Sequence, residues 1–529
     1  MNMKIRHILI LAAALGTVSA CVGCTEIEAA PKGVELINNG VPENNPNDVL
    51  EVYPLPGDGT QVPVSTHYTI RLIQGSKKMD SPVFVSECPV FELGKEDMVA
   101  NDENPLRIFK DQSISWTGFS FNGEVKVEVT VIDPTLTPTA DNVKILPSRH
   151  GITPEVKGNV ISFSLKNPGQ FSVEIGANGY KQGLMVFADP AQSDVPEQDD
   201  ANYLYLDAAT AADLASAASY KGVYFKKGVH DIGLWNVPSG VKNIYFEGGA
   251  YVYGSLRFSG SSDVRIFGRG ILSQGRMNYR EAHSIEAVDG SNRITLEGIT
   301  VACNKYFSVR LIGTNNIVKW TKVIGGWTYN ADGISAYANS TVSNCFIWAN
   351  DDSIKCYETG VSFSDIVVWQ LNNGGAIQFN WGNGKCDHAE IRRVDILHAF
   401  WNSDAKNRGV ISCVGNKYYY ERGGIYTSYY GWSKNLLVED LVTETPMPLI
   451  INMAPYDYSP LTLDGFHFKD WKINWSGKYG SKMIGIDADH KIKNVIFENV
   501  SVNGTKLTQD NFRTVLNLTT DNFEEPIVK

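Results

Sequence analysis

The chain has 529 residues and a formal net charge of −11, from 47 basic and 58 acidic side chains, a balance that argues against nucleic acid or a strongly anionic polymer as its main partner. A single core stops growing at about 250–300 residues, so more than one domain is expected. With 24 Tyr and 11 Trp, rings are available as platforms for a neutral ligand, although β strands also use them freely.

Residues 1–20 read as a signal peptide: Lys4, Arg6 and His7 precede an apolar run from Ile8 to Leu15, the charged-then-apolar order of an export signal. Val18-Ser19-Ala20-Cys21 resembles a bacterial lipobox, which would make Cys21 the lipidated first residue of the mature chain; ordinary cleavage after Ala20 is the alternative. Residues 21–48, polar and rich in Gly, Pro and Asn, then form a tether. No other stretch is long and apolar enough to span a bilayer. The expected location is the outer membrane or surface of a Gram-negative cell, lipid-anchored and facing outward or into the periplasm.

Residues 49–190 contain short apolar runs beginning at Val49, Tyr68, Val83, Val125, Val160 and Phe171, separated by Gly, Pro and Asp turns. The run from Val125 alternates strictly, the pattern of a half-buried strand, and the set predicts a β-sandwich. Residues 191–219 follow as linker and helical cap: an acidic segment with Asp194, Glu197, Asp199 and Asp200, then an Ala-rich stretch suited to closing the end of a solenoid.

From residue 220 to the C-terminus one short unit recurs, with starts at Val241, Val264, Ile294, Ile317, Val342, Ile366, Ile391, Leu436, Phe466 and Val495. A spacing of about 23 to 25 residues without intervening helix predicts a parallel β-helix; propeller blades need about 40 to 50. The step from Ile391 to Leu436 is longer, and the excess falls within a Tyr-rich stretch ending at Trp432. Insertions in solenoids fall on loops of one face, often the binding face. Cys24, Cys88, Cys303, Cys345, Cys356, Cys386 and Cys413 form no metal-ligand spacing in the folded part, so buried free thiols are expected and no metal is.

Asp332 lies just under one repeat before Asp351 and Asp352, and stacked coils rise by only about 4.8 Å each, so the three carboxylates are expected to share one patch. Neighbouring strand residues point to opposite faces, so Asn350-Asp351-Asp352 must form a turn or bulge for both acids to face a cleft. Lys355 and Tyr357 lie on one side of the strand that follows, and Tyr329 opens the stretch. Lys355 could hydrogen-bond a ligand or hold a carboxylate ionised. Gln378, Asn380 and Trp381, near one coil further on, are candidates to complete a ligand site.

The Asp-Gly at Asp332, the Asn-Asp-Asp-x-Ile-Lys-x-Tyr ending at Tyr357, and the segments Ile366-Val-Val-Trp369 and Ala376-Ile-Gln-Phe-Asn-Trp381 resemble glycoside hydrolase family 49, the dextranase and isopullulanase family within the pectinase-like hydrolases. Val143-Lys-Ile-Leu-Pro-Ser and Pro168-Gly-Gln-Phe-Ser-Val-Glu-Ile175 extend the likeness to the first domain. Polygalacturonases of the wider group add Gly-His-Gly and Arg-Ile-Lys, which this sequence lacks.

The resemblance implies an all-β protein, a β-sandwich followed by a right-handed parallel β-helix, that hydrolyses a neutral α-glucan with inversion. It implies Asp351 as general acid, with Asp332 and Asp352 activating water; exchange of Asp351 and Asp352 stays open. Lys355, Tyr357, Tyr329, Gln378, Asn380 and Trp381 are the expected substrate contacts, and hydrolysis by carboxylates calls for no cofactor. A noncatalytic surface glycan-binding lipoprotein is the competing expectation, and a polysaccharide lyase, with a cationic base and an anionic substrate, fits the charge less well.

Overall fold

A computed structural model describes residues 47–89, 109–381, 385–405, 407–414, 432–454 and 462–529. The expected signal peptide, Cys21 and nearly all of the tether lie outside these residues, as do the tyrosines of the long insertion.

The first domain is a sandwich of a six-stranded and a five-stranded sheet. Val125–Val131 lies in the smaller sheet between Tyr68–Gln74 and Val160–Leu165, and its valines are buried in alternation as the sequence pattern requires. Phe119, Phe121, Val127, Phe163, Val173 and Val186 fill the space between the sheets.

The second domain is one parallel β-helix. It begins inside the stretch expected to be linker and cap: Tyr203–Leu206 already pairs in parallel with Gly222–Phe225, and the Ala-rich segment is a short 3-10 turn, Asp213–Ser219. Ile334, Ile354, Ile377, Ile411 and Ile451 stand opposite one another on successive coils and are fully buried. Such a row removes apolar surface from water on every coil, and no coil can do so alone.

Each coil turns one of its corners on a single residue of positive φ. Register carries this position through Gly298, Trp320, Asn344, Asp365, Arg393, Asp440, Asp470 and Asn499. Asn, Asp and Gly are the residues that tolerate this conformation. The bend alters the repeat read from sequence: Val342 pairs with Phe363, whereas Ile366, beyond the bend, pairs with Cys345.

The sandwich packs on one face of the helix. Trp116, Met185 and Phe187 meet Tyr251, Ile324, Phe346, Trp348 and Trp369. Buried polar contacts cross the same boundary: Lys322 Nζ to Asp189 Oδ2 at 2.5 Å and His398 Nε2 to Glu174 Oε1 at 2.8 Å. Cys88, Cys345, Cys356, Cys386 and Cys413 are buried free thiols, and Cys303 is half-buried.

Candidate active site

The corner between Lys322–Ile324 and Ile334–Ala336, and the same corner one coil on, hold the three acids. Gly333 N donates to Asp352 O at 2.9 Å and Ile334 pairs with Ile354, so Asp332 and Asp352 lie on adjacent coils as the spacing requires. Asp351 and Asp352 occupy a bend between Thr341–Ala349 and Ile354–Cys356. All three are buried, and one oxygen from each lies within 4.8 Å of one from each of the others.

The bend is held by neighbouring coils. Asn350 Nδ2 donates to Trp327 O at 2.8 Å, and Asn350 Oδ1 accepts from Asn372 N at 3.0 Å. Gln370, fully buried, donates to Asp351 O at 2.9 Å and accepts from Ser353 Oγ at 2.6 Å. Gly374 leaves room for the pair: a Cβ there would lie 2.1 Å from Asp352 N and 2.4 Å from Asp351 C.

The carboxyls differ in their partners. Asp351 Oδ2 accepts from Asn373 Nδ2 at 2.6 Å and Asn330 N at 3.1 Å, and Asp351 Oδ1 from Asp352 N at 3.0 Å. Asp352 Oδ1 accepts from Gly375 N at 2.9 Å and Asn407 Nδ2 at 2.5 Å. Asp332 Oδ2 accepts from Lys355 Nζ, which also stands 3.7 Å from Asp352 Oδ2; Asp332 Oδ1 is buried without a partner.

Burial pushes the Asp332 carboxyl well above its usual range; Lys355 opposes the shift, and Asp351 and Asp352 add to it. Burial and then Asp351 raise the Asp352 carboxyl to about 7, against Lys355, Gly375 and Asn407. Three acids this close titrate together, so the upward push belongs to the cluster. Lys355 compensates one negative charge, and the raised Asp352 carboxyl lets the cluster keep a proton near neutral pH. Burial alone would lower the Lys355 ammonium, but Asp332, Tyr357 and Asp352 outweigh it and raise it well above the usual lysine range. Three clustered carboxylates could bind a cation, but the Lys355 ammonium already fills that part.

No protein-family model matches the chain. A dextranase from Arthrobacter globiformis is 25% identical over 497 residues, 80% of this chain and 76% of that protein. An isopullulanase from Aspergillus niger is 22% identical over 378 residues, 63% of this chain and 65% of that protein. The solved structure of Dex49A from Penicillium minioluteum superposes with a TM-score of 0.76 over 90% of this chain and 96% of that chain, at 17% identity. This chain is a glycoside hydrolase, similar over most of its length to a dextranase.

The hydrolase brings together most of the residues singled out from its sequence. Lys355 Nζ lies 4.0 Å from the ring centre of Phe307 and 5.1 Å from that of Tyr357, and the Tyr357 hydroxyl donates to Gln378 Oε1 at 2.8 Å. Gln378 stands next to Lys355 in the ladder, and its Nε2 is buried without a partner among the described residues. Tyr329 is half-buried in the turn before Asn330. Asn380 and Trp381 belong to the strand Ile377–Trp381, but their side chains are outside the described residues. Of the aromatic insertion only Trp432 is described, with the Lys385 ammonium 4.8 Å from its ring centre.

Sequence reasoning missed Asn373 and Asn407, which come from later coils and carry no motif of their own. It also missed a wall supplied by earlier coils. His283 stacks on Tyr306 at 4.2 Å and 13°, and Arg280 donates to Oδ1 of Asn330, the residue whose N–H reaches Asp351. Burial and then the Arg310 and Lys355 charges push the His283 imidazole down to about 3, so it presents a neutral ring. The one available signal was the longer interval between the runs at Val264 and Ile294.

Proposed function

We propose that this hydrolase cuts a neutral α-glucan internally, at the α-1,6 bonds of dextran, with inversion, and that it works at the cell envelope tethered through lipidated Cys21. The observation that carries the reading is the buried triad Asp332, Asp351 and Asp352 with oxygens within 4.8 Å in a chain similar over most of its length to a dextranase.

In this mechanism Asp351 gives its proton to the glycosidic oxygen as the bond to the anomeric carbon breaks. Water attacks that carbon from the opposite face, and Asp332 and Asp352 take up its proton. The three donors on Asp351 stabilise the carboxylate that proton delivery leaves behind. Acid and base are commonly about 6.5–9.5 Å apart in inverting enzymes and about 5–5.5 Å in retaining ones. The nearest-oxygen spacing here, within 4.8 Å, is shorter than both, so inversion rests on the family likeness. The anomer released first, followed by proton NMR, tests it; retention would refute it.

One observation favours the exchanged roles. Asp352 is the carboxyl pushed up to about 7, by burial and then by the Asp351 charge. Fluoride as leaving group separates the two readings, because it needs no protonation. The variant lacking the acid keeps activity on an isomaltosyl fluoride, and the variant lacking a base does not.

Digestion of dextran, pullulan and polygalacturonate tests the substrate. Short isomalto-oligosaccharides from dextran support the proposal, and release from pullulan alone moves it to isopullulanase-like action. Product from polygalacturonate alone, or binding without product from any of the three, refutes it.

A further inference from the structure

At the corner where the coils turn on a residue of positive φ, two positions depart from the Asn, Asp and Gly of their neighbours: Arg393, whose guanidinium bonds Asp365 on the coil before it, and Trp320. Coils on either side use Gly298, Asn344 and Asp365, but the intervening coil uses Trp320, at φ 51°. A bulky side chain is strained in this conformation, and strain of this kind persists where the side chain has a task. Trp320 is half-buried, and among the described residues no ring or cation packs on its indole. Trp348 and Trp369, by contrast, stack on each other at 4.7 Å.

Trp320 lines a cavity of about 280 Å³ between the coil corners and the segment that leaves the sandwich at Pro190. Gln192, Asp194, Arg265, Glu297 and Lys319 line it as well, with Ser193 and with Arg269, which stands 3.6 Å from Asp189 Oδ2. These charges fix one another: Arg265 bonds Asp194 and lies 2.7 Å from Glu297 Oε2, and Lys319 lies 3.1 Å from Glu297 Oε1. Charges that are each already paired have less field left for a charged ligand, but keep planar acceptors and donors for paired hydroxyls. One indole and several hydrogen-bonding side chains around a small polar cavity match the two aspects of a pyranose, its C–H face and its hydroxyl rim.

We propose that this cavity is a second binding site for a neutral hexopyranose of the glucan, with Trp320 as its stacking platform. It rests on the glucan reading of the active site, but uses a different corner of the coil: Lys322–Ile324 separates Trp320 from the turn that carries Asp332. The site holds polymer near the catalytic corner without touching the bond that is cut.

The test is affinity electrophoresis of the full chain through gels containing dextran or pullulan, in an Asp351→Asn background that leaves the polymer intact. Trp320→Asn installs the residue type of the next coil, so the fold is expected to be at least as stable, as a thermal melt will check. Loss of the ring is expected to weaken retention about 3- to 10-fold, and Trp320→Phe to recover part of it. With Asp351 restored, kcat/KM on polymer falls by a similar factor and that on isomaltotriose does not. Relief of retention by added isomaltotriose would identify chain ends as the ligand, and retention that persists would identify internal segments; both uphold the site. Equal retention of Trp320→Asn and its parent overturns the site while the glucan reading stands. A parent chain that neither binds nor cuts either polymer overturns both.

Discussion

Asp332 Oδ2 accepts a hydrogen bond from the Lys355 ammonium on the adjacent coil, with neither side chain more than 3% exposed. Two charges so far from water require each other, and the cluster depends on the pair. Lys355→Met is expected to cost about 3–5 kcal/mol near pH 7, because it strands a buried carboxylate. The loss shrinks as pH falls and Asp332 is protonated. Urea denaturation at pH 5 and pH 7 checks this; an equal loss at both would show that the charge plays no part. The same substitution removes a compensating cation, so the alkaline limb of any residual activity moves to higher pH.

The Asp352 carboxyl, raised from its ordinary 3.8 to about 7, links folding to pH. A carboxyl whose pKa rises on folding binds its proton more tightly in the native state. Its contribution to stability is complete below about pH 4 and is lost as pH rises through about 7. Asp352→Asn keeps a neutral side chain throughout. The melting temperature of the parent is therefore expected to fall relative to that variant between pH 4 and pH 7, and parallel profiles would contradict the raised value. Activity that needs the cluster's proton should decline over the upper part of the same range.

Replacing the proposed acid, Asp351→Asn, is expected to lower kcat on dextran by about 10²- to 10⁴-fold with the fold intact. Binding of a short oligosaccharide, measured by calorimetry, should change little. A variant within a few-fold of the parent would remove Asp351 from the acid role.

Gly374→Ala tests the backing of the acidic pair. The added Cβ would meet Asp352 N at 2.1 Å and Asp351 C at 2.4 Å, both too rigid to yield without moving the carboxyls. Overpacking of this kind costs about 1–3 kcal/mol, and a small displacement of catalytic groups can cost about a hundredfold in rate. A crystal structure of the variant with Asp351 and Asp352 unmoved and full activity would contradict the role given to this glycine.

The sequence was most legible where one physical rule acts alone. Burial of Val125, Val127, Val129 and Val131 demands alternation, and the chain shows it. The interval from Asp332 to Asp352 follows from coil length, so adjacency of the acids could be read without coordinates. The register of the repeats was less legible, because Asn344 and Asp365 bend their strands and shift apolar residues past one another. The first coil, Tyr203–Leu206, was hidden by an acidic linker before it and an Ala-rich segment after it. Asn373 and Asn407 were invisible for a simpler reason: each reaches the acids from another coil, and hydrogen bonds between coils leave no local pattern.

Asp332 and Asp352 hang from neighbouring rungs of a backbone ladder, with Gly333 N bonded to Asp352 O. Their separation is therefore a lattice spacing of the fold, set by the repeat between paired strands and not by any side chain. Substitutions can change which carboxyl holds the proton, or what lies above the triad, but they cannot stretch that interval by small amounts. The reaction geometry can shift only in whole rungs, whereas the corners and insertions around it are free to vary. A scaffold of this kind fixes how a bond is cut and leaves the choice of bond to its edges.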